Sequence, residues 1–132
     1  MRALGLEAGP TLLGNLRYDG GFEAGLALLK LSPLPTAVVA INDLTAVGVI
    51  RAFHRNRVRV PEDVSVTGFD RTRLAEYGVP SLTTVDVHCA LLGRTAADAL
   101  HELSSSSSPE GKEYRIPIEL IVGESSGPAP SL

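Results

Sequence analysis

Residues 35–85 read PTAVVAINDLTAVGVIRAFHRNRVRVPEDVSVTGFDRTRLAEYGVPSLTTV. Two short runs rich in Val and Ile, Ala37 to Ile41 and Val64 to Phe69, bracket a segment in which Leu44, Val47, Ile50 and Phe53 recur at helical spacing. Runs of that length and composition suit strands buried on both faces, as in a parallel sheet. Asn42 and Asp43 open the helical segment, where their side chains can cap free backbone N–H groups. Arg55 and Arg57 fall near its end, where cations complement the helix dipole. Pro61, Glu62 and Asp63 form a turn into the second strand, because proline continues neither regular pattern. Strand, helix, turn, strand is one parallel β-α-β unit.

The rhythm extends in both directions. Leu12 to Leu16 reads as a strand before the unit, and Ile118 to Val122 as one after it, with Thr83 to Val85 between. Phe22, Gly25, Leu26 and Leu29 share helical spacing, as do Leu92, Ala96, Ala99 and Leu103. The expected fold is α/β, a parallel β-sheet flanked by helices. Ser104 to Ser108, with Pro109, Glu110 and Gly111, reads as a flexible surface loop. Residues 1–123 form the expected domain, and 124–132, ESSGPAPSL, an irregular tail.

In open parallel sheets ligands sit outside the carboxyl ends of the strands. The residues that follow the apolar runs are Arg17, Tyr18 and Asp19, then Asn42 and Asp43, then Asp70, then Asp86. Amides donate and accept while carboxylates accept, so this edge suits a polyhydroxylated or amine-bearing ligand. Two readings stand beside each other: Asn42 and Asp43 cap a helix or meet a ligand, and Asp70 fixes a turn or meets a ligand.

Other chemistries find little support. The chain has 132 residues, a formal net charge of -3, and 12 basic residues that are scattered except for a loose cluster from Arg51 to Arg59. That is the opposite of a phosphate-neutralising surface, and the cluster reads as a solvated helix end. A single cysteine, Cys89, allows no internal disulfide, which fits a cytoplasmic protein. No apolar run reaches the roughly 20 residues of a membrane span, and MRALGLEAGP lacks the apolar core of a signal peptide. Asp43 and Asp70 could hold Mg²⁺, but no phosphate-cradling loop accompanies them. His88 and Cys89 are adjacent with no second pair to complete a zinc site. There is no G-x-S-x-G elbow. Neither an enzyme, nor a metal, nor a cofactor is expected.

The quoted stretch resembles the regulatory domain of the LacI/GalR family of bacterial transcription regulators. The motifs are Ile41-Asn42-Asp43 with Ala46-Val47-Gly48, Arg59-Val60-Pro61-Glu62-Asp63-Val64, Gly68-Phe69-Asp70 and Pro80-Ser81-Leu82-Thr83-Thr84-Val85. Leu92-Gly93, Ala96-Ala97 and Pro117 to Val122 continue the likeness. The resemblance implies a periplasmic-binding-protein-like domain of type I with two α/β lobes and a sugar, nucleobase or similar effector in the cleft. This chain would supply mainly the C-terminal lobe. The DNA-binding headpiece would be absent and operator DNA reached only through it. The helix ending near Ala8-Gly9 would follow an effector-gripping arginine that lies outside the chain. By motif, Asn42 and Asp70 would hydrogen-bond the effector. Leu16 stands where the family often has an aromatic, and Val87 where it usually has Gln. Both make the pocket more apolar than a usual sugar site. Val47, Ile50 and Tyr77 fall where family members pair as homodimers. The rival with the same fold is a lobe of a periplasmic solute-binding protein of a transport system.

Overall fold

The computed structural model describes residues 9–105 and 111–130. Its elements are α1 (Tyr18–Leu28), β1 (Ala37–Val39), α2 (Asp43–Arg55), β2 (Ser65–Thr67), α3 (Arg73–Tyr77), β3 (Thr84–Asp86), α4 (Cys89–Ser105) and β4 (Glu119–Ile121). β1 and β2 are parallel, with Ala37, Val38 and Val39 opposite Ser65, Val66 and Thr67. The ladder continues through a parallel Thr67–Thr83 bridge, reinforced by Gly68 N–H to Thr83 O at 2.9 Å and Asp70 N–H to Val85 O at 3.0 Å. The β-α-β unit therefore forms as expected.

The core lies between α2 and the β1–β2 pair. Val49, Phe53, Val64 and Val66 are fully buried, joined by Ala46, Ala75 and Leu82. Burying a side chain of this size contributes roughly 1.5–3 kcal/mol. The inward face of α2 is offset from the Leu44, Val47, Ile50, Phe53 stripe. It consists of Thr45, Ala46, Gly48, Val49, Ala52 and Phe53, while Leu44 is exposed. The reason is α1, which packs so closely that only small residues fit. A Cβ added at Gly48 would fall on the Tyr18 carbonyl oxygen, and one at Gly21 on the Thr45 carbonyl. Arg55 covers the seam with its guanidinium 5.7 Å from the Phe22 ring.

Three expectations need correction. Leu12 to Leu16 is not a strand: it carries no ladder, Leu13 is 97% exposed, and Leu16 turns at φ 62°. A strand requires a neighbour, and β1 is paired only with β2 among the described residues. An apolar cavity of about 820 Å³ is lined by Leu12 and Leu16 from this segment and by Val38 and Ile41 from the β1 side. The closing strand exists but runs antiparallel to β3, with Thr84, Val85 and Asp86 opposite Ile121, Leu120 and Glu119. It is not buried on both faces, since Ile118, Leu120 and Val122 are exposed. Ser104 and Ser105 belong to α4 rather than to a loop; the rest of the serine loop, 106–110, lies outside the described residues, as do 1–8 and 131–132.

The segment after Gly123 forms no helix or strand, yet it is stitched into the sheet. Ser125 is fully buried; its hydroxyl donates to Val66 O at 2.6 Å and accepts from Thr83 N–H at 2.8 Å. α4 does the reverse. It has the expected apolar stripe and buries none of its residues.

Candidate functional site

The carboxyl edge of β1, β2 and β3 gathers the loops that begin at Asn42, Phe69 and Val87, with Leu16 beside them. Backbone conformation marks this edge. Among the described residues five non-glycines have positive φ, and four lie here: Leu16 (62°), Asp70 (109°), Arg71 (52°) and His88 (48°). Conformations of this kind cost energy and persist where the surroundings over-determine them, often at ligand sites.

Each candidate can now be located. Asn42 is the N-cap of α2: its Oδ1 accepts from Thr45 N–H at 2.9 Å, and its Nδ2 donates to the Leu16 carbonyl at 2.9 Å. The amide thus caps the helix and fastens the Leu16 turn to it, keeping one N–H and one lone pair in hand. Asp43 is fully buried and wholly engaged. Its Oδ2 accepts from Thr72 N–H at 2.6 Å and the Thr72 hydroxyl at 3.1 Å, and its Oδ1 from the Thr84 hydroxyl at 2.6 Å. A buried carboxylate satisfied by three donors fixes structure. Asp86 is engaged as well. It takes the Arg71 guanidinium at 2.6 Å, the His88 backbone N–H at 2.7 Å and His88 Nδ1 at 3.3 Å. The Arg71 hydrogen bond, then the His88 N–H, hold its pKa below the ordinary carboxylate value.

Asp70 differs from both. It is half-buried, and among the described residues its carboxylate accepts no hydrogen bond. Burial first, and the Asp43 carboxylate second, raise its pKa above the ordinary value. Leu16 is 58% exposed at the rim, and Val87 is half-buried in the step from β3 to α4. The structure therefore brings Leu16, Asn42, Asp70 and Val87 to one edge, and it removes Asp43 and Asp86 from the set of free carboxylates. Arg71 was not anticipated. Its identity gave no signal, because its role depends on pairing with Asp86 fifteen residues away.

The 820 Å³ cavity reaches this edge at Leu16, Ile41 and Phe69 but includes neither Asn42, Asp70 nor Val87. Its lining is overwhelmingly apolar, and it holds one orphan hydroxyl, Thr45 Oγ1. It is the gap beside the unpaired edge of β1 rather than the polar site. On α2, Val47 and Ile50 are half-buried, whereas Tyr77 at the end of α3 is 74% exposed. Among the described residues no three His, Cys, Asp or Glu side chains converge as metal ligands, and no helix is long and apolar enough to cross a membrane.

A parallel sheet whose carboxyl edge carries strained turns and, among the described residues, an unpaired carboxylate makes this an α/β domain with a candidate ligand edge. Comparison with known proteins gives the family. The profile of the periplasmic binding protein-like domain matches residues 1–126, and the chain belongs to that family, in the form carried by LacI-type transcription regulators. The HTH-type transcriptional repressor PurR of Photobacterium profundum is 35% identical over 125 residues, 90% of this chain and 37% of that protein. The lactose operon repressor of Escherichia coli is 35% identical over 108 residues, 82% of this chain and 30% of that protein. Among solved structures, the CelR–cellobiose complex superposes with a TM-score of 0.87 at 34% identity, covering 95% of this chain and 39% of the other. The lac repressor dimer bound to operator and the anti-inducer ONPF gives 0.78 at 32% identity, covering 86% and 39%. The chain thus spans about a third of the length of its curated relatives. These relatives are transcriptional regulators rather than enzymes or transport proteins.

Proposed function

We propose that the chain is the effector-sensing part of a cytoplasmic LacI-type repressor, taking a small molecule such as a sugar or nucleobase in a cleft between two lobes. Asn42 and Asp70 meet the effector, with Leu16 and Val87 on the rim. The observation that carries this reading is the Asp70 carboxylate, without a hydrogen-bond partner among the described residues and at φ 109° on the edge where parallel sheets bind ligands. The route of the chain agrees with a second lobe. It leaves along β3 and returns antiparallel along β4, and the excursion between them contains α4, whose apolar stripe is left without a buried residue.

Operator DNA is reached through a headpiece elsewhere in the polypeptide, and the regulator acts as a homodimer through Val47, Ile50 and Tyr77. Effector binding then favours one lobe arrangement over another. The test is titration of the full-length Asp70→Ala regulator with ribose, cellobiose and adenine, with and without operator. Loss of Asp70 should weaken the bound effector by about tenfold to a hundredfold, or roughly 1–3 kcal/mol, and leave effector-free DNA binding intact. Unchanged effector affinity in both titrations would make Asp70 a turn residue only.

A further inference from the structure

Resting on the effector-site reading above, we infer that the ligand of this edge is an amine-bearing molecule with an apolar body rather than a free sugar. A free sugar presents hydroxyls all round and needs several donors and acceptors to replace its water. This edge has few to give. Asp43 and Asp86 are engaged by Thr72, Thr84, Arg71 and His88. Asn42 uses one end of its amide on Thr45 and the other on Leu16. What remains is the Asp70 carboxylate, unpaired among the described residues, with one N–H and one lone pair of the Asn42 amide beside it.

Apolar side chains share the edge with it. Ile41 is 66% exposed and Phe69 38% exposed, and Leu16 and Val87 complete the rim. A planar or aliphatic body covers these, while an ammonium meets Asp70. The charge balance agrees. Asp43, Asp70 and Asp86 against Arg71 leave a formal charge of -2 at the edge, and Arg17 and Asp19 at the start of α1 cancel. Asp43 also disfavours the negative charge of Asp70, and burial does so more strongly. A ligand cation relieves both effects.

The experiment records amide ¹H–¹⁵N spectra of this chain with tyramine, with 4-ethylphenol, which keeps the ring and lacks the amine, and with ribose. Each titration is repeated in Asp70→Asn, which removes the charge at a position whose positive φ asparagine tolerates. Tyramine should shift the amides of Leu16, Asn42, Asp70 and Val87, with at least about tenfold weaker binding for 4-ethylphenol, for ribose and for tyramine on the variant. Ribose binding as tightly as tyramine, or alone, with loss in Asp70→Asn, overturns the ligand class and keeps the site. Binding of no probe, or binding indifferent to Asp70→Asn, overturns the ligand class and the site together.

Discussion

The Thr84 hydroxyl donates to the buried Asp43 carboxylate at 2.6 Å, fastening the first turn of α2 to β3 across 41 residues of sequence. The other carboxylate oxygen of Asp43 holds Thr72, so one side chain ties together the starts of two helices and a strand. Replacing Asp43 with Ala leaves the Thr72 N–H and the Thr84 hydroxyl without their acceptor. The expected loss is at least about 2 kcal/mol in urea unfolding. Asp70→Ala, which breaks no hydrogen bond of its carboxylate among the described residues, should change stability far less. Equal losses would show that Asp70 has a structural role after all.

The end of α2 carries a correctable strain. Val58 N–H bonds back to Phe53 O at 3.0 Å and Arg57 N–H to His54 O at 3.2 Å, the pairing of a Schellman motif. The left-handed position in that motif suits glycine, and here Arg57 occupies it at φ 62°. Arg57→Gly should raise stability by about 0.5–1 kcal/mol, read as a higher urea midpoint with unchanged slope. A fall would mean that the arginine side chain contributes more than its backbone conformation costs.

Contact between α1 and α2 depends on the absence of side chains. Because a methyl group at Gly48 would meet the Tyr18 carbonyl and the Phe22 backbone nitrogen, Gly48→Ala must push the helices apart. The expected cost is roughly 1–3 kcal/mol despite the better helix propensity of alanine. Thermal unfolding of the variant beside Gly93→Ala, where a methyl meets open space, separates packing from propensity.

Arg59 and Asp63 close the turn before β2. The Arg59 guanidinium reaches both oxygens of Asp63, at 2.5 and 3.0 Å, and the Arg59 N–H adds a third bond at 2.8 Å. These hydrogen bonds hold the Asp63 pKa down to about 2, from an ordinary 3.8. A depressed carboxylate pKa contributes stability above the ordinary value, and that contribution is lost as pH falls through about 2. Carboxyl-carbon NMR should give Asp63 a midpoint near 2, moving up toward 3.8 in Arg59→Gln.

Exposed apolar surface predicts association. Val39 on the unpaired side of β1 is 86% exposed, and Val79, Tyr77, Leu92 and Leu100 are exposed on other elements. Patches beyond a few hundred Å² rarely stay bare. Sedimentation at high micromolar concentration should show self-association, reduced by Tyr77→Asp if α2 and α3 form the contact. A clean monomer would exclude it.

By itself the sequence determined what is local. The cap at Asn42, the helix that follows, the Pro61 turn and the order of β1, α2 and β2 are each encoded within a few residues, because capping, proline geometry and helical periodicity act over a few positions. The motifs from Pro35 to Val85 likewise placed the candidate residues after the strands, at the carboxyl edge of the sheet. Whether Leu12 to Leu16 becomes a strand was not local, since a strand exists only through the ladder of a neighbour. Tertiary structure also chose the buried face of α2, because the approach of α1 at Gly21 and Gly48 turned small residues inward. And it decided among four similar carboxylates. Asp19, Asp43, Asp70 and Asp86 follow apolar runs alike, but hydrogen bonds from Asn15, Thr72, Thr84 and Arg71 engage three of them and, among the described residues, leave Asp70 unpaired. Most of those donors lie 15 to 41 residues away from their acceptors, a separation at which only the folded backbone brings the groups together.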